Sequence, residues 1–235
     1  RGFTCTTAIL EGRHGFVAAL APEGADLADA TASLKERWDL LDNAFKPYAC
    51  GILAHAMVDA MLALRVRPGV EAGCVVRISG RVNPLAIKLE GRIDPGLGLE
   101  SRLSFPHAMA VALIDGAASP SQFTDARASD PTIRRLRDMI DVTGDAAIAQ
   151  DACEITVTLA DGRAHTEHVA HATGTLENPM TDTQVAAKFR TLALSVLPQS
   201  RVDRLLDALD RLEHLDDVSA LIDLSHVQQQ EKKRT

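Results

Sequence analysis

The chain has 235 residues and a formal net charge of -7, from 25 basic and 32 acidic side chains. This charge argues against a general nucleic-acid or membrane-surface partner, because neither a phosphate backbone nor anionic lipid would attract the chain. Hydrophobic residues make up 46% of the sequence but aromatic residues only 3%. We therefore expect a core of Ala, Leu, Val and Ile, built mostly from alanine-rich helices.

The cysteines indicate a reducing compartment. Cys5, Cys50, Cys74 and Cys153 are scattered and form no C-x-x-C pair, so neither a disulfide framework nor a zinc site is predicted. No apolar run approaches the roughly 20 residues that a membrane-spanning helix needs, and no charged-then-apolar leader opens the chain. We expect a cytoplasmic protein. The opening residues, from Arg1, have no obvious beginning, so we also expect the later part of a longer protein.

Reactive side chains are densest between residues 45 and 59. Lys46, Tyr48, Cys50 and His55 provide a cation, a phenol, a thiol and an imidazole. A proline and a glycine punctuate the start of this stretch, and helix-forming residues follow as far as Leu64. The pattern predicts a loop that leads into a helix N-terminus, where free N–H groups and Lys46 would bind a carboxylate or phosphate.

His55 and Asp59 are four residues apart, so on a helix their side chains could touch. A carboxylate would fix the tautomer of the imidazole and raise its pKa, as suits an acid–base residue. The alternative is a solvated pair on the helix surface.

Alternating hydrophobicity predicts strands in three places. Residues 73–80 read as a half-buried strand with Cys74, Val76 and Ile78 on one face, and residues 85–89 could form a short strand. Residues 153–159 alternate cleanly and are followed by Asp-Gly, which predicts a hairpin whose return strand runs to about residue 170.

Three histidines lie on or near that return strand, at His165, His168 and His171. Residues three apart on a strand face opposite ways, so the three cannot converge, and we predict no metal site.

A second helix N-terminus carries polar side chains. Ser104 precedes Pro106 by two residues and Gly116 can end the helix, which predicts a helix capped by Ser104. Ser104 is either a cap alone or also a ligand contact, and His107 lies beside it.

Five short patterns, in order along nearly the whole chain, resemble the MmgE/PrpD family: Leu10-Glu11-Gly12 with Gly15-Phe16, Lys46-Pro47-Tyr48 with His55, Ser104 to Ala108, Asn178 to Thr181, and Lys188-Phe189-Arg190. The resemblance implies an α+β fold: a lid domain of helices packed on a small antiparallel sheet, plus helical segments of an all-α domain that is largely missing. It assigns residues 1–41 to the end of the first helical segment, 42–174 to the lid and 175–235 to helices that return to the helical domain. It also implies a homodimer, the usual assembly in the family.

The resemblance also implies a metal-free lyase without cofactors, a dehydratase or decarboxylase of a small polycarboxylate such as 2-methylcitrate or cis-aconitate. Proton abstraction next to a carboxylate would precede loss of water or CO₂. An epimerase of a dicarboxylate such as iminodisuccinate and a non-catalytic binding or assembly module are the alternatives. The predicted catalytic residues are Lys46 and His55, and the predicted substrate-binding residues are Tyr48, Cys50, Ser104 and His107. Gly51, Ile52 and His107 depart from the family pattern, which leaves the substrate open.

Overall fold

The computed structural model describes residues 7–13, 15–21 and 32–226. Contacts divide the chain into two compact units, residues 1–43 and 44–235. The first unit contains a short helix, α1 (Phe16–Leu20), and a 3-10 turn at Asp39–Asp42. The assignment of residues 1–41, 42–174 and 175–235 to three segments of a larger fold stays a prediction.

The second unit is α+β, as expected, and its described part adds nine helices and four strands. The helices are α2 (His55–Leu64), α3 (Pro84–Glu90), α4 (Gly98–Ser101), α5 (Phe105–Asp115), α6 (Asp125–Ala128), α7 (Pro131–Arg137), α8 (Asp182–Ala193), α9 (Gln199–Leu209) and α10 (Ser219–Ser225). The strands are β1 (Val75–Val82), β2 (Ile140–Gly144), β3 (Cys153–Leu159) and β4 (Ala164–Val169). No helix in the described part of the chain is long and apolar enough to cross a bilayer.

The four strands form one mixed sheet in the order β2-β1-β3-β4. The hairpin of β3 and β4 is confirmed, with Gly162 at a φ of 86° in the turn, and β1 is antiparallel to β3. The pair of β1 and β2 is parallel, so the expectation of a purely antiparallel sheet is corrected. The reason is the connection between them. The chain runs from β1 to β2 through helices, and a crossover connection of that kind places the two strands parallel.

The facing of β1 also differs from the prediction. Val75 and Ile78 are buried, whereas Cys74 and Val76 are exposed. The cause is an irregularity in the register between Val75 and Arg77, where a β-bulge shifts the alternation by one residue.

Residues 85–89 lie in helix α3 rather than in the predicted short strand. The Asn83 side chain accepts a hydrogen bond from the Leu85 N–H, and Pro84 occupies the first helical turn. Both are helix start signals, and they override the apolar pattern that follows. The predicted helix α5 is confirmed, with Ser104 as its N-cap and Gly116 at a φ of 68° as its C-cap.

Helices α2 and α5 pack against each other, and α2 also packs on β3 and β4. The interior includes Met57 and Met61 of α2, Met109 of α5 and Ile155 of β3, all fully buried. Because α2 is packed along its length, its first residue, His55, is held in a fixed position. A second, smaller apolar cluster joins α8, α9 and α10.

Candidate functional site

The loop that precedes α2 borders two cavities, of about 530 Å³ and about 460 Å³. Lys46 and Thr173 line both, Tyr48 lines the larger and His55 the smaller. Lys46 is exposed, and in the described part of the chain its ammonium group has no hydrogen-bond or ion-pair partner. The structure thus brings three of the predicted residues, Lys46, Tyr48 and His55, to the same two cavities.

His55 is a neutral base at physiological pH. Its side chain is 2% exposed and lies edge-on to the Tyr48 ring, with the ring centroids 5.4 Å apart. Burial above all, and then the charges of Lys46 and Lys188, lower the His55 pKa from 6.5 to about 4. The ring is hydrogen-bonded to the backbone of Cys50, while Nε2 is buried and has no hydrogen-bond partner among the described residues. Nδ1 therefore carries the hydrogen, and Nε2 keeps a free lone pair.

Asp59 holds Tyr48 rather than His55, so the predicted contact between His55 and Asp59 is corrected. The Tyr48 hydroxyl donates to Asp59 Oδ1, and the Thr173 N–H donates to Oδ2 at 2.6 Å. Burial is the main cause of the raised pKa of both the phenol and the carboxyl group. Tyr48 therefore stays protonated, and its ring is fixed between Asp59 and the His55 imidazole.

The predicted anion site at the start of α2 is filled by the chain's own carboxylate. The Leu53 N–H donates to Glu90 Oε1 at 3.2 Å, and Ala54 also bonds to Glu90 through its backbone. Glu90 is 5% exposed, and burial raises its pKa. A Cβ atom on Gly51 would lie 2.1 Å from the Glu90 carboxyl group. An external carboxylate cannot bind to these N–H groups, so Lys46 is left as the anion-binding part of the predicted site.

Cys50 is a buried, neutral thiol. It is 2% exposed, lines neither cavity, and has its pKa raised to about 12 by burial and by the charge of Glu90. Its backbone, through the bond to His55, is the part that contributes to the site. The substrate contact predicted for its side chain stays a prediction.

Ser104 and His107 lie away from the two cavities. Ser104 Oγ accepts a hydrogen bond from the His107 N–H at 3.2 Å and donates to the Arg92 carbonyl. His107 Nε2 is 2.9 Å from the Gln122 carbonyl oxygen. Both side chains are fully buried, and this arrangement is that of a helix cap and a satisfied core histidine. Their substrate contact also stays a prediction.

Comparison with known proteins agrees with the observed fold. The C-terminal domain of the MmgE/PrpD family matches residues 48–214. The chain belongs to the MmgE/PrpD family.

Three relatives of this MmgE/PrpD chain are cis-aconitate decarboxylases. The Mus musculus protein is 27% identical over 220 residues, covering 89% of the chain and 44% of the relative. The Homo sapiens protein is 26% identical over 225 residues, covering 92% and 46%. The Aspergillus terreus protein is 26% identical over 211 residues, covering 83% and 43%. The chain thus spans less than half the length of these relatives.

The site of this MmgE/PrpD chain includes a lysine that the sequence reasoning did not assign to it. Lys188 Nζ donates to the Lys46 carbonyl oxygen at 2.6 Å across 142 sequence positions. The Lys188-Phe189-Arg190 pattern contributed to the family resemblance, but nothing in its spacing connects it with Lys46. Glu90 and Thr173 were missed for the same reason, since their contacts to the α2 region also come from distant parts of the chain.

One group in the MmgE/PrpD domain has the side-chain types of a metal site. Ligand atoms of Asp151, His171 and Glu177 lie within 4.8 Å of one another. His171 is already bonded to Asp151 at 2.8 Å, and exposed acidic groups of this kind are common without a metal. We assign no metal to it.

Proposed function

We propose that this MmgE/PrpD chain forms one wall of the active site of a lyase that removes CO₂ from a small polycarboxylate such as cis-aconitate. The observation that carries the proposal is that two groups line the same cavity: Lys46, a cation without an ion-pair partner in the described part of the chain, and His55, a neutral imidazole whose buried Nε2 accepts no hydrogen bond there. The names of the relatives supply the substrate class. Loss of water from a related hydroxy acid is the alternative within the same chemistry.

The reaction requires a charge clamp and one proton. In cis-aconitate, one carboxylate is attached to the CH₂ group next to the double bond. When it leaves as CO₂, the electron pair of its C–C bond forms a new double bond, and the old double bond delivers its pair to the carbon next to another carboxylate. That carbon takes up a proton. Lys46 would hold a carboxylate that remains, and so stabilise the charge that develops beside it.

His55 would deliver the proton. In the free protein it is neutral, because its pKa is lowered to about 4. A bound polycarboxylate would add negative charge near the ring, raise its pKa and so favour a protonated Nε2. The imidazolium then donates this proton to carbon and returns to the neutral form. In a dehydration, the neutral Nε2 would instead accept the proton next to the carboxylate.

Tyr48 and Asp59 would position these groups. Asp59 accepts hydrogen bonds from the Tyr48 hydroxyl and the Thr173 N–H, so the Tyr48 ring cannot rotate away from His55 without breaking the first of them. A fixed aromatic wall would limit movement of the His55 ring, as proton transfer requires.

The test is turnover of cis-aconitate by the full-length protein in D₂O, followed by NMR. We expect CO₂ and a product with one deuterium on the carbon next to a remaining carboxylate. Lys46→Met should reduce turnover by about 100-fold or more, as for other groups that stabilise developing charge. Lys88→Met, at an exposed position on α3, is the matched control and should have wild-type turnover.

Three outcomes would contradict the proposal. Undiminished turnover in Lys46→Met would show that Lys46 does not hold a carboxylate of the substrate. Deuterium uptake into an enantiopure substrate with racemisation, and without loss of CO₂ or water, would indicate an epimerase. Tight binding of citrate-like acids by the complete protein without any turnover would indicate a binding module.

A further inference from the structure

A second lysine faces the larger cavity. Lys188, on α8, lines the cavity of about 530 Å³ together with Lys46, and its Nζ donates to the Lys46 carbonyl oxygen at 2.6 Å. An ammonium group has three N–H donors. The bond to the Lys46 backbone therefore holds Nζ beside the cavity and leaves two donors for a ligand.

The walls of this cavity are positively charged. Lys46 and Lys188 are among its lining residues, and no Asp or Glu from the described part of the chain is. Neither ammonium group is in an ion pair within the described part of the chain, although the chain has 32 acidic side chains and a net charge of -7. Two uncompensated cations at one cavity favour an anion there, since each would otherwise repel the other.

The same positive field reaches His55, because Lys46 and Lys188 both contribute to its lowered pKa. The rest of the cavity wall is largely apolar and includes Ala118, Pro120, Met180 and Leu192. A ligand with a short carbon chain and more than one carboxylate fits this combination of apolar wall and paired cations.

We propose that Lys188 binds a second carboxylate of the substrate in the larger cavity and so selects substrates with two or more carboxylates over those with one. This inference rests on the proposed function, because it names a subsite of the same site. Lys188 comes from α8 and Lys46 from the loop before α2, so substrate binding would join two distant segments of the chain.

The test measures binding by titration calorimetry in the full-length protein, with tricarballylate as the polycarboxylate probe and butyrate as the monocarboxylate probe. A charge-assisted hydrogen bond contributes about 1.5–3 kcal/mol, or about 10–100-fold in affinity. We expect Lys188→Met to weaken tricarballylate binding by that factor and to change butyrate binding less than about twofold. Lys188→Arg, which keeps the charge, should restore most of the affinity.

Lys188→Gln separates ligand binding from a purely structural role. Glutamine keeps an N–H donor for the Lys46 carbonyl but has no charge. We expect it to bind tricarballylate as weakly as Lys188→Met does, with unchanged thermal unfolding. If it binds as tightly as wild type, Lys188 only holds the loop and the inference is overturned. Equal losses for tricarballylate, butyrate and inorganic phosphate would also overturn it, because they would indicate an unspecific anion site.

Measurements of binding and of turnover distinguish failure of the Lys188 subsite from failure of the lyase proposal. Tricarballylate affinity that depends on Lys188, in a protein without turnover, would support the subsite and contradict the lyase proposal. Turnover that depends on Lys46, with tricarballylate affinity independent of Lys188, would support the lyase and overturn the subsite.

Discussion

His55 should make the stability of the protein depend on pH, and His55→Gln should remove that dependence. In the folded protein its pKa is lowered from 6.5 to about 4, chiefly by burial. The unfolded chain therefore binds a proton at this position at a higher pH than the folded chain does. The contribution of the neutral ring to stability is complete above about pH 6.5, falls as the pH falls, and levels off below about pH 4.

The magnitude follows from the difference between the two pKa values. At 1.36 kcal/mol per pH unit, the full effect is about 3 kcal/mol, and at about pH 5 it is about 2 kcal/mol. Between about pH 8 and about pH 5, the free energy of unfolding of the wild type should fall by about 2 kcal/mol more than that of His55→Gln.

The assay is urea unfolding of both proteins at a series of pH values, with the difference in unfolding free energy plotted against pH. His214→Gln is the matched control, because His214 is exposed and has no ion-pair partner among the described residues. It should follow the wild-type curve. If wild type and His55→Gln have parallel curves between about pH 8 and about pH 4, the ring is not buried in its neutral form, and the acid–base role derived from that state fails.

Two further substitutions test the surroundings of the site. Gly51→Ala should destabilise the protein by about 1–3 kcal/mol in urea unfolding, because the added Cβ would lie 2.1 Å from the Glu90 carboxyl group. Gly73→Ala is the control and should not destabilise it, because a Cβ there would have no neighbour within 4 Å among the described residues. Equal effects of the two substitutions would contradict the close packing at Gly51. Ser104→Ala should cost about 1 kcal/mol of stability through the lost cap to His107 while leaving the KM unchanged, and a raised KM would instead support the predicted substrate contact.

Local signals in the sequence were enough to locate several elements. The Ser104 cap, the proline in the first turn and the terminal Gly116 defined α5, and Asp161-Gly162 defined the hairpin of β3 and β4. Each depends on the conformational preferences of a few adjacent residues, so it can be read without knowledge of the rest of the fold. The order of such patterns along the chain also indicated the MmgE/PrpD family, which comparison with known proteins confirmed.

The partners of the reactive groups were decided by the tertiary structure. The spacing of four residues on a helix predicted a contact between Asp59 and His55, but the two oxygens of Asp59 accept hydrogen bonds from Tyr48 and Thr173 instead. A helix N-terminus suggested an anion site, but Glu90 from the end of α3 fills it.

The sequence alone thus indicated the family and the type of most elements, and it predicted Lys46 and His55 as the catalytic residues. Only the tertiary structure decided that His55 is neutral, that the start of α2 is closed to ligands, and that Lys188 lies beside Lys46. The physical reason is that burial and charge at one residue depend on side chains that packing brings from far along the chain, and the Lys46–Lys188 contact spans 142 positions.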